Sequence, residues 1–275
     1  MLRPAIHTPH IKLLVRIALR TGDNLVEKSR RFVRALPLRM EMAIFWWLIL
    51  FGAAAAIRIA SSLSPIENLR DFADIFLPYA LAALAPVLGY RIALAAFPVN
   101  TVAPQPGLRL ALWGRWRSLG PLDSRAHPAF GPFGFMASLL VGMLLNIPVR
   151  SFEFLAAVPA MNSHAPEWGT TIFHMMAFDV IAMNFLYAVC FVMALRSIPL
   201  FPRMLLFAWG MDLFFQFAVA RSVAATPNLP DQVAVALQQL LDGNITKVLI
   251  SAAIWLPYLL LSERVNVTYR ARVAA

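Results

Sequence analysis

The stretch TIFHMMAFDVIAMNFLYAVCFVMAL, residues 171–195, decides the fold. Its 25 residues contain one acid, Asp179, and no Lys or Arg. As a helix rising 1.5 Å per residue it would be about 37 Å long, enough to cross a hydrocarbon core of roughly 30 Å. Five further runs repeat the theme at 42–60, 75–97, 133–149, 204–220 and 248–261. The expected architecture is therefore all-α, a polytopic membrane protein of six transmembrane helices. Composition agrees. Hydrophobic residues make up 60% and charged residues 14%, against roughly 45–50% and 25% in soluble domains. A soluble enzyme, a disordered chain and a disulfide scaffold are all poor fits, the last because Cys190 is the single cysteine.

Charge orders the loops. The net charge is +10, from 24 Lys and Arg against 14 Asp and Glu. Segments 1–41, 91–132, 196–203 and 262–275 hold 19 of those cations, while 61–74, 150–171 and 221–246 hold one each. The same three loops carry seven acids: Glu67, Asp71, Asp74, Glu153, Glu167, Asp231 and Asp242. Cytoplasmic loops are rich in Lys and Arg, so six spans with both termini cytoplasmic is the expected topology. Nucleic acid is not an expected partner, because no aromatic platform or recognition motif accompanies the charge. The basic start is not followed closely by a short apolar core and cleavage site, so it does not read as a secretory signal.

The chain divides into a basic segment (1–41), a two-span extension (42–97), a Pro- and Gly-rich cytoplasmic linker (98–130) and a four-span unit (131–270). In the first segment Lys12, Arg16 and Arg20 recur every four residues, with Ile11, Leu14, Val15 and Leu19 between them. That spacing predicts an amphipathic helix lying at the interface and drawn to anionic lipid. Docking to a protein partner is the rival role. Within the linker, LRLALWGRWRSLG sets Arg109, Arg115 and Arg117 beside Trp113 and Trp116, a pattern suited to a short interfacial segment.

Ionisable groups inside a bilayer are functional candidates by default. Asp179 and Asp212 qualify. Asn184 lies five residues after Asp179, and Gln216 one helical turn after Asp212. A short turn joins the two spans, so an antiparallel hairpin should place Asp179 near Gln216 and Asn184 near Asp212. One reading is a proton or cation relay. The other is plain interhelical hydrogen bonding. Arg58, near the far end of the first run, is the one candidate counter-ion, and anchoring at the headgroups is its other role. His164, Glu167 and His174 are potential metal ligands, but their spacing fits no standard pattern. No serine has an activating His nearby, and no nucleotide or hydrolase motif occurs. No cofactor is expected, and no enzymatic activity.

The end of the chain, AAIWLPYLLLSERVNVTYR, carries Trp255, Pro257, Tyr258, Ser262, Arg264, Val265 and Thr268. With the turn Phe201, Pro202 and Arg203, and with Gly131, Gly134 and Phe135 upstream, it resembles the bacterial multipass family named domain of unknown function 2569, over about residues 131–270. The resemblance places Arg150, Phe152 and Trp168 in an apolar outer loop. It implies a bacterial inner membrane and no known activity. Residues 1–130 lie outside the family unit, and Glu263 stands where the family usually has a basic residue. Arg203 and Arg264, with Tyr258 beside them, are candidate contacts for a lipid phosphate or an acidic partner. The expected role is an accessory or scaffold subunit that binds anionic lipid or other membrane proteins. The alternative is a small ion-coupled transporter using Asp179 and Asp212.

Overall fold

A computed structural model describes residues 9–99, 103–107 and 114–275, with side chains from residue 26 onward. Lys12, Arg16, Arg20, Arg109 and Trp113 are therefore outside the described side chains. The described elements are α1 (Pro9–Ala60), α2 (Leu69–Ala96), β1 (Trp116–Ser118), α3 (Pro121–Ala126), α4 (Phe135–Ala157), α5 (Glu167–Leu195), α6 (Phe201–Ala224), α7 (Asp231–Leu261), α8 (Glu263–Arg270) and β2 (Arg272–Ala274). Six of these helices are long and apolar enough to cross a membrane: α1 from Val26, α2, α4, α5, α6 and α7. The chain is a polytopic membrane protein.

Three boundaries differ from the sequence reading. The basic segment does not form a separate interfacial helix, because α1 runs unbroken from Pro9 to Ala60. Pro37 lies inside it, and the chain carries no turn between the basic part and the apolar part. Support is local there: Arg31 pairs with Glu27 one turn earlier at 3.1 Å. The third span continues past Arg150 to Ala157, because SFEFLAA keeps the run apolar. The sixth span begins well before residue 248, within one 31-residue helix, α7.

The long helices meet around α5, whose side chains are buried along most of its length. Close approach to α2 occurs at Gly89, where an added Cβ would lie 2.6 Å from the Phe185 carbonyl oxygen and 3.2 Å from the Ala188 Cβ. The core is in two parts. One gathers around Met136, Tyr187, Phe191 and Phe201, the other around Phe51, Tyr79, Phe154 and Phe173. Outward faces carry Phe45, Trp46, Phe207, Phe214 and Phe217, all exposed. Such a surface would aggregate in water and is satisfied by lipid.

The C-terminal end folds back over one end of the bundle. Ser262 ends α7 and opens α8. Buried Tyr269 donates to the Ala194 carbonyl at 2.9 Å and packs on Phe201. Ala271 takes a left-handed conformation, φ 48°, which turns the chain into β2. This strand pairs antiparallel with β1, Arg117 opposite Val273. The little sheet ties the connection between α2 and α4 to the C-terminus.

Candidate functional site

Arg150 supplies the intramembrane cation that the sequence reading assigns to Arg58. It projects from α4 seven residues before the helix ends, about 10 Å by the helical rise. Its Nη1 donates to Asp179 Oδ2 on α5 at 2.7 Å. Its Nη2 contacts both carboxylate oxygens of Asp212 on α6 at 2.5 Å. The three side chains are 11%, 2% and 0% exposed. One guanidinium thus clamps two carboxylates and joins three spans. Arg58 instead donates to the Val158 carbonyl at 3.0 Å, near the end of α4.

The network extends through neutral groups. Tyr187 donates its hydroxyl to Asp212 at 3.0 Å. The Gln216 amide lies 3.4 Å from both Asp179 and Asp212 and accepts from Asn244 of α7 at 3.2 Å. Asp179, Asp212 and Gln216 are brought together. Asn184 is not part of that contact: its amide nitrogen donates to Ser151 of α4 at 2.7 Å. Ser151 in turn donates to the Ile147 carbonyl. Charged groups at this depth are stable only when paired and hydrogen-bonded, and the network lies where the two apolar clusters meet.

A cleft of about 140 Å³ reaches this network. Arg150 and Glu153 of α4, Asp212 of α6, and Asn244 and Lys247 of α7 are among its lining groups, with Trp209 and Trp255 on its walls. Asp212 borders the cleft with its side chain fully buried, Arg150 is the partly exposed member of the triad, and Asp179 lies outside the lining. Lys247 and Glu153 form a second ion pair at 2.5 Å across the cleft, and both are partly exposed, 55% and 39%.

The other expected sites are dispersed. Among the described residues no three His, Cys, Asp or Glu side chains gather to hold a metal. His164 bonds Asp71 at 3.1 Å, and His174 bonds the Thr170 carbonyl of its own helix. Arg264 donates to the Ala129 and Gly131 carbonyls, and burial lowers its pKa. Tyr258 packs against Phe135 and Trp255, joining the end of α7 to the start of α4. Arg203 instead shares its charged surroundings with Arg270.

Sequence reasoning missed Arg150, Tyr187, Ser151, Asn244 and the Glu153–Lys247 pair. A signal for the first existed. Residues 133–161 are interrupted by charge only at Arg150 and Glu153, so they can be read as one span with two embedded charges. Comparison of the chain with family models, curated proteins and solved structures finds no match to any of them.

Proposed function

We propose that the chain is a small ion-coupled transporter in which the Asp179–Arg150–Asp212 network binds and releases a proton. The observation that carries this reading is one buried cation facing two buried carboxylates, with Arg150 and Asp212 bordering a cleft. With both carboxylates ionised the triad has a net charge of −1 in a medium of low dielectric. Uptake of one proton by the pair neutralises it, so protonation is tied to the Coulomb balance of the site. Purely structural hydrogen bonding does not need two carboxylates on one guanidinium.

The mechanism follows from the geometry. In the resting network Arg150 holds α4, α5 and α6 together. A proton arriving through the cleft past Arg150 is taken up by the carboxylate pair and weakens its hold on the guanidinium. Arg150 keeps one charged partner, and its hold between α4 and the other spans loosens. The Glu153–Lys247 pair bridges α4 and α7 at the same cleft, so it separates when those helices part. Proton binding thus favours one packing of α4 against α6 and α7, and proton release favours the other.

The proposed orientation has both termini cytoplasmic. Charge asymmetry supports it: with Arg150 inside α4, the connection from 158 to 166 holds no Lys or Arg. A bacterial inner-membrane setting is proposed on the resemblance of the closing Trp255–Pro257–Tyr258 string alone.

The test is charge movement in reconstituted membranes. Proteoliposomes are adsorbed on a supported membrane and challenged with small carboxylates, amino acids and inorganic cations at two pH values. A pH-dependent current with at least one class, lost in Asp212→Asn, supports the transporter. No current with any class, together with a stably co-purifying protein partner, would return the chain to the accessory-subunit reading.

A further inference from the structure

A second cavity, of about 540 Å³, lies at the end of the bundle that carries the C-terminus. It is formed by the connection after α2, the α5–α6 turn, α3 and the region of α8. Its size falls within the range of small-molecule sites. Arg125 and Arg196 are the charged residues that line it, and among the described residues no Asp or Glu does. Asp123, on the same short helix as Arg125, is exposed and lies outside the lining.

The surroundings are also cationic. Arg270, buried at 4% exposure, donates to the Leu259 carbonyl at 2.8 Å and to Asn266 at 3.1 Å. Burial first, then the neighbouring Arg272 and Arg203, bring its pKa down to about 10. Arg196 Nη1 and Arg203 Nη2 are buried nitrogens without a hydrogen-bond partner among the described residues. Buried donors in native proteins are nearly always satisfied, so the unpaired Arg196 nitrogen at a cavity lined by no carboxylate among the described residues signals a missing acceptor. Hydroxyl groups complete the lining: Thr268 and Ser197 both border the cavity. Thr268 accepts from the Gly131 N–H at 2.9 Å, which leaves its own O–H free to donate.

We propose that this cavity binds a phosphate group, with Arg196 as its principal ligand and Arg203 supplying positive potential behind it. Guanidinium forks match phosphate oxygens in geometry and charge. The same chemistry suits the headgroup of an anionic lipid, or a soluble phosphate compound that enters from the aqueous side. This site is distinct from the Arg150 network, and its test does not depend on transport.

The experiment uses the full chain in nanodiscs. One arm measures equilibrium binding of radiolabelled inorganic phosphate in neutral phosphatidylcholine discs. The other measures retention of phosphatidic acid by native mass spectrometry. Arg196→Gln is expected to weaken binding by at least about tenfold, the loss of a charge-assisted contact, and Arg203→Gln by a smaller factor, the loss of background positive potential. Arg196→Lys should retain part of it, and Arg31→Gln, on exposed α1 surface, should leave it unchanged. Saturable phosphate binding identifies a soluble ligand, and retention of phosphatidic acid alone identifies a lipid. Absence of both, or binding indifferent to Arg196 and Arg203, overturns the site. If the glutamine variants fail to fold, the wild-type chain decides: its melting midpoint rises with phosphate or phosphatidic acid but not with chloride at equal ionic strength. No rise with either overturns the proposal.

Discussion

Replacing Arg150 with leucine tests the buried triad most severely. The side chain reaches two carboxylates, 2% and 0% exposed, at 2.7, 2.5 and 2.5 Å. Hydrogen bonds to charged groups contribute roughly 1.5–3 kcal/mol each, so deleting the guanidinium removes several kcal/mol of direct interaction. Part is recovered, because one orphaned carboxylate takes up a proton. Removing one partner of a buried pair then leaves a net cost of about 3–5 kcal/mol. On the usual scaling for chains of this size, the melting midpoint falls by roughly 10 °C. Cys190 provides the assay: it is the single cysteine and is fully buried, so a maleimide dye labels it only after unfolding. Asp212→Asn should cost less, about 1–2 kcal/mol, because Arg150 keeps Asp179 and hydrogen bonding is partly retained. Replacing all three charges together, by Arg150→Met, Asp179→Leu and Asp212→Leu, should restore stability to near wild type, since apolar replacement of a buried ion network is often neutral. An Arg150→Leu variant that labels at the wild-type temperature would refute the pairing.

Other outcomes follow from packing. Gly89→Leu should separate α2 from α5 and cost about 1–3 kcal/mol, read by the same thiol-labelling melt. Gly52→Ala, where nothing lies within 4 Å, should be neutral or stabilise slightly, by up to about 1 kcal/mol. Tyr269→Phe removes the bond to the Ala194 carbonyl and should cost about 0.5–1.5 kcal/mol in the same melt. The packing around the ring should survive. Trp47→Phe removes the indole donor to the Ala83 carbonyl at 2.8 Å, and should loosen α1 from α2 by a comparable amount, seen as faster backbone hydrogen exchange in α1.

The spans are legible in the sequence because lipid demands long apolar runs, and α5 is such a run from end to end. Asp179 and Asp212 are legible for the converse reason, since acids stand out in an apolar background. Arg150 is not. A cation near the end of an apolar run reads equally as a loop residue, and SFEFLAAVPAM after it reads as a separate apolar patch. Only the packing of α4 against α5 and α6 shows which side of the boundary it occupies. Helical register alone assigns Asn184 to Asp212, whereas a third helix supplies Ser151 as its partner. The continuous α1 is hidden for another reason. Periodicity reports a face, and it does not report whether the helix turns between one face and the next. The basic cavity near Arg196 is built by a long connection and the chain end, segments far apart in sequence, so no local spacing could announce it.

Proton flux through the triple apolar variant tests the central claim most directly, because that variant separates folding from charge. Wild-type and variant chains are reconstituted at equal density in vesicles containing a pH-sensitive dye. A pH gradient is imposed in the presence of whichever solute class gives current. The account predicts that wild type moves protons faster than empty vesicles, and that the variant melts near wild type yet moves them at the empty-vesicle rate. A folded variant that carries protons at the wild-type rate would contradict it.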